Sequence, residues 1–143
     1  MQPSQDNRRF QAYLHLSIQP YDLDELGIVG SITHMRWLHA LHAQLWRQLG
    51  LDTLRLNEQR PVMTKTRLSS RAPIRRNHRP VGHIRVQSSD GPEWTTAVEI
   101  IVNERVVLTA EQTGIFLDRA TLRPAALPNA LTEALLTARN HRI

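Results

Sequence analysis

Asp24-Glu25-Leu26-Gly27-Ile28-Val29-Gly30-Ser31-Ile32-Thr33-His34-Met35-Arg36-Trp37-Leu38 is the stretch on which the fold turns. With Tyr21, Asp22 and Leu23 before it, its first half gathers three carboxylates and two glycines around a short apolar patch, the composition of a shaped loop. Its second half starts a different period. Met35, Leu38, Leu41 or His42, Leu45 and Leu49 recur at three and four residues and make one apolar stripe on a helix from Ile32 to Gly50. Trp37 and Trp46 widen the stripe, Ser31 or Thr33 can cap its start, and Gly50 can end it. A helix carrying two tryptophans needs heavy burial, so the rest of the chain is expected to wrap around it.

Outward from that helix the pattern is extended. From Arg9 to Pro20, the residues Phe10, Ala12, Leu14, Leu16 and Ile18 alternate with more polar neighbours, as in a half-buried strand. After a linker from Leu51 to Asn57, four strands are expected at Val62 to Ile74, His83 to Gln87, Glu93 to Val102 and Arg105 to Leu117. Arg76 to Pro80 and Ser88 to Pro92 mark turns, and Asn103-Glu104 is short enough for a two-residue hairpin. Asn129 to Asn140, rich in alanine and leucine after Pro128, is a terminal helix. The expected architecture is α+β: a five-stranded antiparallel sheet, its last four strands in meander order, around one long helix. One helix covers part of such a sheet, so a second subunit is expected on the remainder.

The 143 residues, 41% hydrophobic and 22% charged, suit a single domain spanning 1–143 and exclude fibrous and wholly disordered classes. No apolar run approaches the roughly 18 residues a membrane-spanning helix requires. The first residues, Met1-Gln2-Pro3-Ser4-Gln5-Asp6, lack a secretory pattern, and with no cysteine the expected compartment is the cytoplasm. The net charge of +5 is unevenly placed. Between Gln59 and Ser89 there is no acid, while Arg60, Lys65, Arg67, Arg71, Arg75, Arg76, Arg79 and Arg85 give +8; the rest of the chain is −3. Arginine grips phosphate with a planar pair of donors, so the cluster points to a phosphorylated or otherwise anionic partner. Nucleic acid fits poorly, because no aromatic side chain lies between Gln59 and Ser89 to stack on bases.

Asp24, Gly27, Ile28, Val29, Arg36 and Trp37 match in register the opening motif of the hotdog-fold acyl-CoA thioesterases of the 4-hydroxybenzoyl-CoA thioesterase family, which the stretch resembles. Asp22 stands where that family often has the first acid of an Asp-x-Asp pair, and Phe116 to Pro128 looks like its closing segment. The resemblance covers roughly residues 10 to 135. It implies a homodimer or homotetramer that hydrolyses an acyl-CoA or acyl-carrier-protein thioester without a cofactor, with Asp24 as nucleophile or general base. The Ser31 backbone N–H would be the oxyanion donor, and Gly27, Gly30, His34, Met35 and Leu38 would border the substrate. The chain departs from the motif at Gly30-Ser31, Thr33-His34 and His39, where the family commonly carries an aromatic, His or Pro residue, an Asn-Tyr pair and an acid.

Physical chemistry agrees with this assignment. An aspartate shortly before a helix can face the same space as the helix's first unbonded N–H groups, which would stabilise the oxyanion formed when a thioester carbonyl is attacked. Gly27 permits the tight path between them, and Gly30 keeps bulk away from the carbonyl. Asp22 and Glu25 are read as solvated or structural. Arg75, Arg76 and Arg79 are the first candidates for the coenzyme A phosphates, followed by Arg67, Arg71 and Arg85. A metal site is not expected, because His34, His39 and His42 point roughly 140° and 60° apart around a helix and the His-Glu-x-x-His pattern is missing. A non-catalytic thioester-binding protein is the remaining alternative, and the presence of Asp24 argues against it.

Overall fold

Alternation sets the first strand: Phe10, Ala12 and Leu16 are buried while Tyr13 is exposed, and pairing holds over β1 (Gln11–His15). The computed structural model describes residues 10–51 and 58–140, with side chains through 136. Arg9 of the expected first strand and residues 52–57 of the expected linker lie outside the described residues. After β1 come one 3-10 turn (Pro20–Asp22), α1 (Ser31–Gln48), β2 (Gln59–Ser70), β3 (Val81–Asp90), β4 (Glu93–Val102), β5 (Arg105–Asp118), a short β6 (Pro124–Ala125) and α2 (Asn129–Asn140).

The sheet is antiparallel in the order β1-β3-β4-β5-β2, with β6 added beside β5. This corrects the expected meander in one respect. β3, β4 and β5 follow one another through tight turns, but β2 pairs with β5 at the far edge instead of with β3. The physical reason lies in the link 71–80, which is too long for a hairpin and carries Pro73 and Pro80. It leaves the sheet and crosses to the other edge. The Asn103-Glu104 turn is as expected: Val102 pairs with Arg105, and both turn residues have positive φ, 52° and 66°, the signature of a two-residue hairpin.

The helix α1 lies against the inner face of the sheet. Leu38, Leu41 and Leu45 have no exposed surface, and they meet Ile84, Val98, Ile100 and Leu108 from the strands in one core. His34, Trp37, His42 and Trp46 are also buried, whereas Met35 is 45% exposed. The apolar stripe therefore begins one residue earlier than expected, at His34, and Met35 turns outward. Trp46 packs edge-on against Trp94 and Phe116 with ring centroids 5.1 and 5.7 Å apart, which closes the core at the C-terminal end of α1. The backbone of Gly114 lies so near Trp94 that a Cβ there would overlap the indole ring and the Val62 carbonyl. Gly50, at φ 72°, ends the helix as expected. The second helix, α2, packs on β3 through Leu131 and Ala134.

Candidate active site

The loop before α1 is held by its own backbone. Leu23 bridges Val29, the Asp24 N–H donates to the Ile28 carbonyl at 2.8 Å, and the Gly27 N–H donates back to the Asp24 carbonyl at 3.0 Å. Gly27 makes the reversal with φ 75°, a conformation that penalises any side chain with a Cβ. Within this turn Asp24 Oδ1 accepts the N–H groups of Leu26 at 2.8 Å and Ile28 at 3.0 Å. The carboxylate is thereby fixed in direction, on the surface. Among the described residues Oδ2 receives no hydrogen bond, and this oxygen is available for chemistry.

At the other end of the loop Gly30 is the N-cap of α1 and brings no side-chain cap, and the first turn carries no acid. The expected caps, Ser31 and Thr33, do not serve; Ser31 is the first helical residue, and the Thr33 hydroxyl donates instead to Asp22. The His34 N–H is the first to find a carbonyl, that of Gly30. Among the described residues the N–H groups of Ser31, Ile32 and Thr33 have no acceptor, and there is open space where a Cβ of Gly30 would stand. A carboxylate and an uncapped helix N-terminus thus occupy the two ends of one short loop.

The remaining candidates separate into groups. His34 is buried at the first turn, near Trp37, and burial holds its pKa below the ordinary 6.5. Met35 offers half its surface beside it, while Leu38 is wholly within the core and exposes none. Tyr21, Leu26 and Ile32, all more than 70% exposed, are large apolar side chains on the same loop and first helical turn as Asp24 and Ser31. Among the described residues no group of side chains is arranged to hold a metal ion. His42 is used up in the core, with Nδ1 donating to the Leu38 carbonyl at 2.9 Å and Nε2 accepting from the Thr96 hydroxyl at 2.8 Å.

The crossing link brings its arginines to the loop. Val29 N–H donates to the Ile74 carbonyl at 2.9 Å and Ile28 bridges Arg75, so Arg75 and Arg76 emerge next to the segment that carries Asp24. His78 Nδ1 accepts the Arg75 N–H at 2.9 Å and shapes the turn from which Arg79 follows. All three guanidinium groups are on the exposed side, and among the described residues none is in an ion pair. Arg67 and Arg85 are elsewhere. The register Arg85, Ala97, Glu111, Arg67 crosses the outer face of the sheet, and these residues with Arg71 and Glu99 border a shallow hollow of about 330 Å³. A larger hollow of about 760 Å³, between the β3–β4 turn and α2, is lined by Ser88, Pro92, Leu127 and Leu135 and does not include Asp24.

The site contains one residue to which the sequence assigned no chemistry. Asp22 is 5% exposed and turns its carboxylate inward to Thr33 and Arg36. Local sequence does not choose between the solvated and the structural reading of Asp22, because its partners lie on the helix beyond the reversal.

No curated protein sequence matches the chain. Among solved structures it is similar to a protein from Pseudomonas aeruginosa strain PAO1, at 19% identity and a TM-score of 0.77, covering 92% of this chain and 94% of that one. A thioesterase from Thermus thermophilus, solved with coenzyme A and zinc, gives 16% identity and 0.77 over 92% and 96%. A 1,4-dihydroxy-2-naphthoyl-CoA thioesterase from Synechocystis gives 13% and 0.75 over 88% and 96%. At these identities the likeness is one of fold, and it is the hotdog fold. Residues 18–135 match the model of the thioesterase-like superfamily, so the chain belongs to that superfamily and, with it, to the thioester hydrolases.

Proposed function

We propose that this protein is a homodimeric or homotetrameric cytoplasmic thioesterase that hydrolyses an acyl-CoA to a free acid and the CoA thiol. The observation that carries the reading is the pairing of the oriented Asp24 carboxylate with the uncapped N-terminus of α1 across one loop. The thioester oxygen would be held by N–H groups at Ser31, which strengthen their hold as negative charge develops on it. Asp24 acts through Oδ2 by one of two routes. As a general base it takes a proton from water as the water oxygen attacks the carbonyl carbon; the tetrahedral intermediate then expels the thiolate, which recovers the proton. As a nucleophile it forms a mixed anhydride and releases the thiolate, and water then cleaves the anhydride.

His34 and Met35 border the acyl group, Gly27 and Gly30 leave room for its carbonyl, and Leu38, wholly buried, belongs to the core behind them. The exposed apolar side chains Tyr21, Leu26, Ile32 and Met35 are what a second subunit would cover. Arg75, Arg76 and Arg79 take the nucleotide phosphates, supported by their place beside Ile28.

Thiol release from a panel of acyl-CoAs tests the reading. Asp24→Asn keeps an Oδ1 able to accept the Leu26 and Ile28 N–H groups, so the loop should persist while kcat falls by roughly 10² to 10⁴. A wild type inactive on every thioester, or an equally active Asp24→Asn, would falsify the assignment.

A further inference from the structure

Asp22 and Asp24 flank Leu23, and the chemistry above employs only the second. A carboxylate as buried as Asp22 needs partners for its lone pairs, since leaving them unmet costs several kcal/mol. It has them on three segments. Oδ2 accepts the Gln19 N–H at 2.7 Å, while Oδ1 accepts the Thr33 hydroxyl at 3.0 Å and the Arg36 Nη1 at 3.4 Å. Its main-chain carbonyl accepts the Gly30 N–H at 3.1 Å. Arg36 approaches from the outside, 53% exposed and lying over the Tyr21 ring at 5.4 Å, and balances the charge of the carboxylate.

The placement of these contacts is what matters. Gly30 and Thr33 stand on either side of Ser31, so a single residue holds the helix start both before and after the N–H assigned to the oxyanion. The same residue leads through Leu23, bridged to Val29, into Asp24. We infer that Asp22 is a positioning residue: through Thr33, Arg36 and Gly30 it fixes the first turn of α1 relative to Asp24, and with it the alignment of attack and oxyanion binding. It touches neither the substrate nor the reacting atoms. This inference rests on the reading of Asp24 and Ser31 given above.

The test uses the full chain and an acyl-CoA that the wild type cleaves. Thr33→Val keeps the shape of the side chain and removes the hydroxyl; Thr33→Ser keeps the hydroxyl. A small misalignment of reacting groups is costly, so Thr33→Val should lower kcat about tenfold with KM within about twofold, and Thr33→Ser should recover all but about threefold. Arg36→Gln, made at an exposed position, should also lower kcat. Asp22→Asn combined with Thr33→Val should be no worse than the more damaging single change.

A folded Thr33→Val enzyme with wild-type kcat, a loss expressed in KM instead, or an additive double variant overturns the inference. If Asp22→Asn does not fold, the Thr33 pair and Arg36→Gln decide the matter. These outcomes leave the catalytic role of Asp24 standing. An inactive wild type, or an active Asp24→Asn, removes that role and the inference together.

Discussion

His42 shows how one buried side chain makes stability depend on acidity. It projects from α1 onto Thr96 of β4, and burial pushes its pKa down to about 4 from the ordinary 6.5, the bond to Leu38 offsetting only part of that. Between those values the unfolded chain holds a proton at this position and the folded chain does not. Its contribution is therefore complete above about pH 6.5 and is lost as the pH falls toward 4, a change on the order of 3 kcal/mol. Urea unfolding near pH 7 and near pH 4.5 should show the loss, and His42→Leu should flatten it by about 2 kcal/mol. At this scale the sequence was legible where neighbours in the chain decide the outcome. Asp24 is oriented by Leu26 and Ile28, within its own turn, and it stands where its motif put it. For Asp22 the sequence left solvated and structural readings open, and the choice of the second depends on Thr33 and Arg36, brought to it by the reversal at Gly27.

Elements were read well where periodicity alone defines them. The strands β4 and β5 follow their hydrophobic patterns to within a residue, α1 ends two residues before the expected Gly50, and the Asn103-Glu104 turn follows from its brevity. A strand's partner is a different matter. The residues of β2 say that it is extended, but its place beside β5 is settled by the path of the link 71–80. The hairpin also offers a gain in stability. Glu104 holds φ 66°, where a residue with a Cβ is strained by about 1 to 2 kcal/mol, whereas glycine is not. After allowance for the greater freedom of glycine in the unfolded chain, Glu104→Gly should raise unfolding free energy by about 0.5 kcal/mol. A denaturant midpoint that stays put or falls would count against this reading of the turn.

For the molecule as a whole, charge is organised by the crossing link. It carries Arg75 and Arg76 to the loop of Asp24 and leaves Arg67 and Arg85 on the outer face, among Glu99 and Glu111. Replacing Arg76 or Arg79 by Ala should raise KM for an acyl-CoA roughly fivefold, about 1 kcal/mol for an exposed guanidinium. The increase should shrink with added salt and vanish for a short thioester without phosphates, while Arg67→Ala should change neither KM. The same link bears on the order in which the structure is assembled. β3, β4 and β5 join through near neighbours in the chain, and their pairing can begin with little loss of chain entropy. β1 and β2 must close much longer loops to reach the edges, and the contact of Val29 with Ile74 needs the link already in place. Such non-local contacts form slowly. In pulse-labelled hydrogen exchange during refolding, the amides of β4 and β5 should gain protection first and that of Val29 late, so that catalytic competence is among the last properties the folding chain acquires.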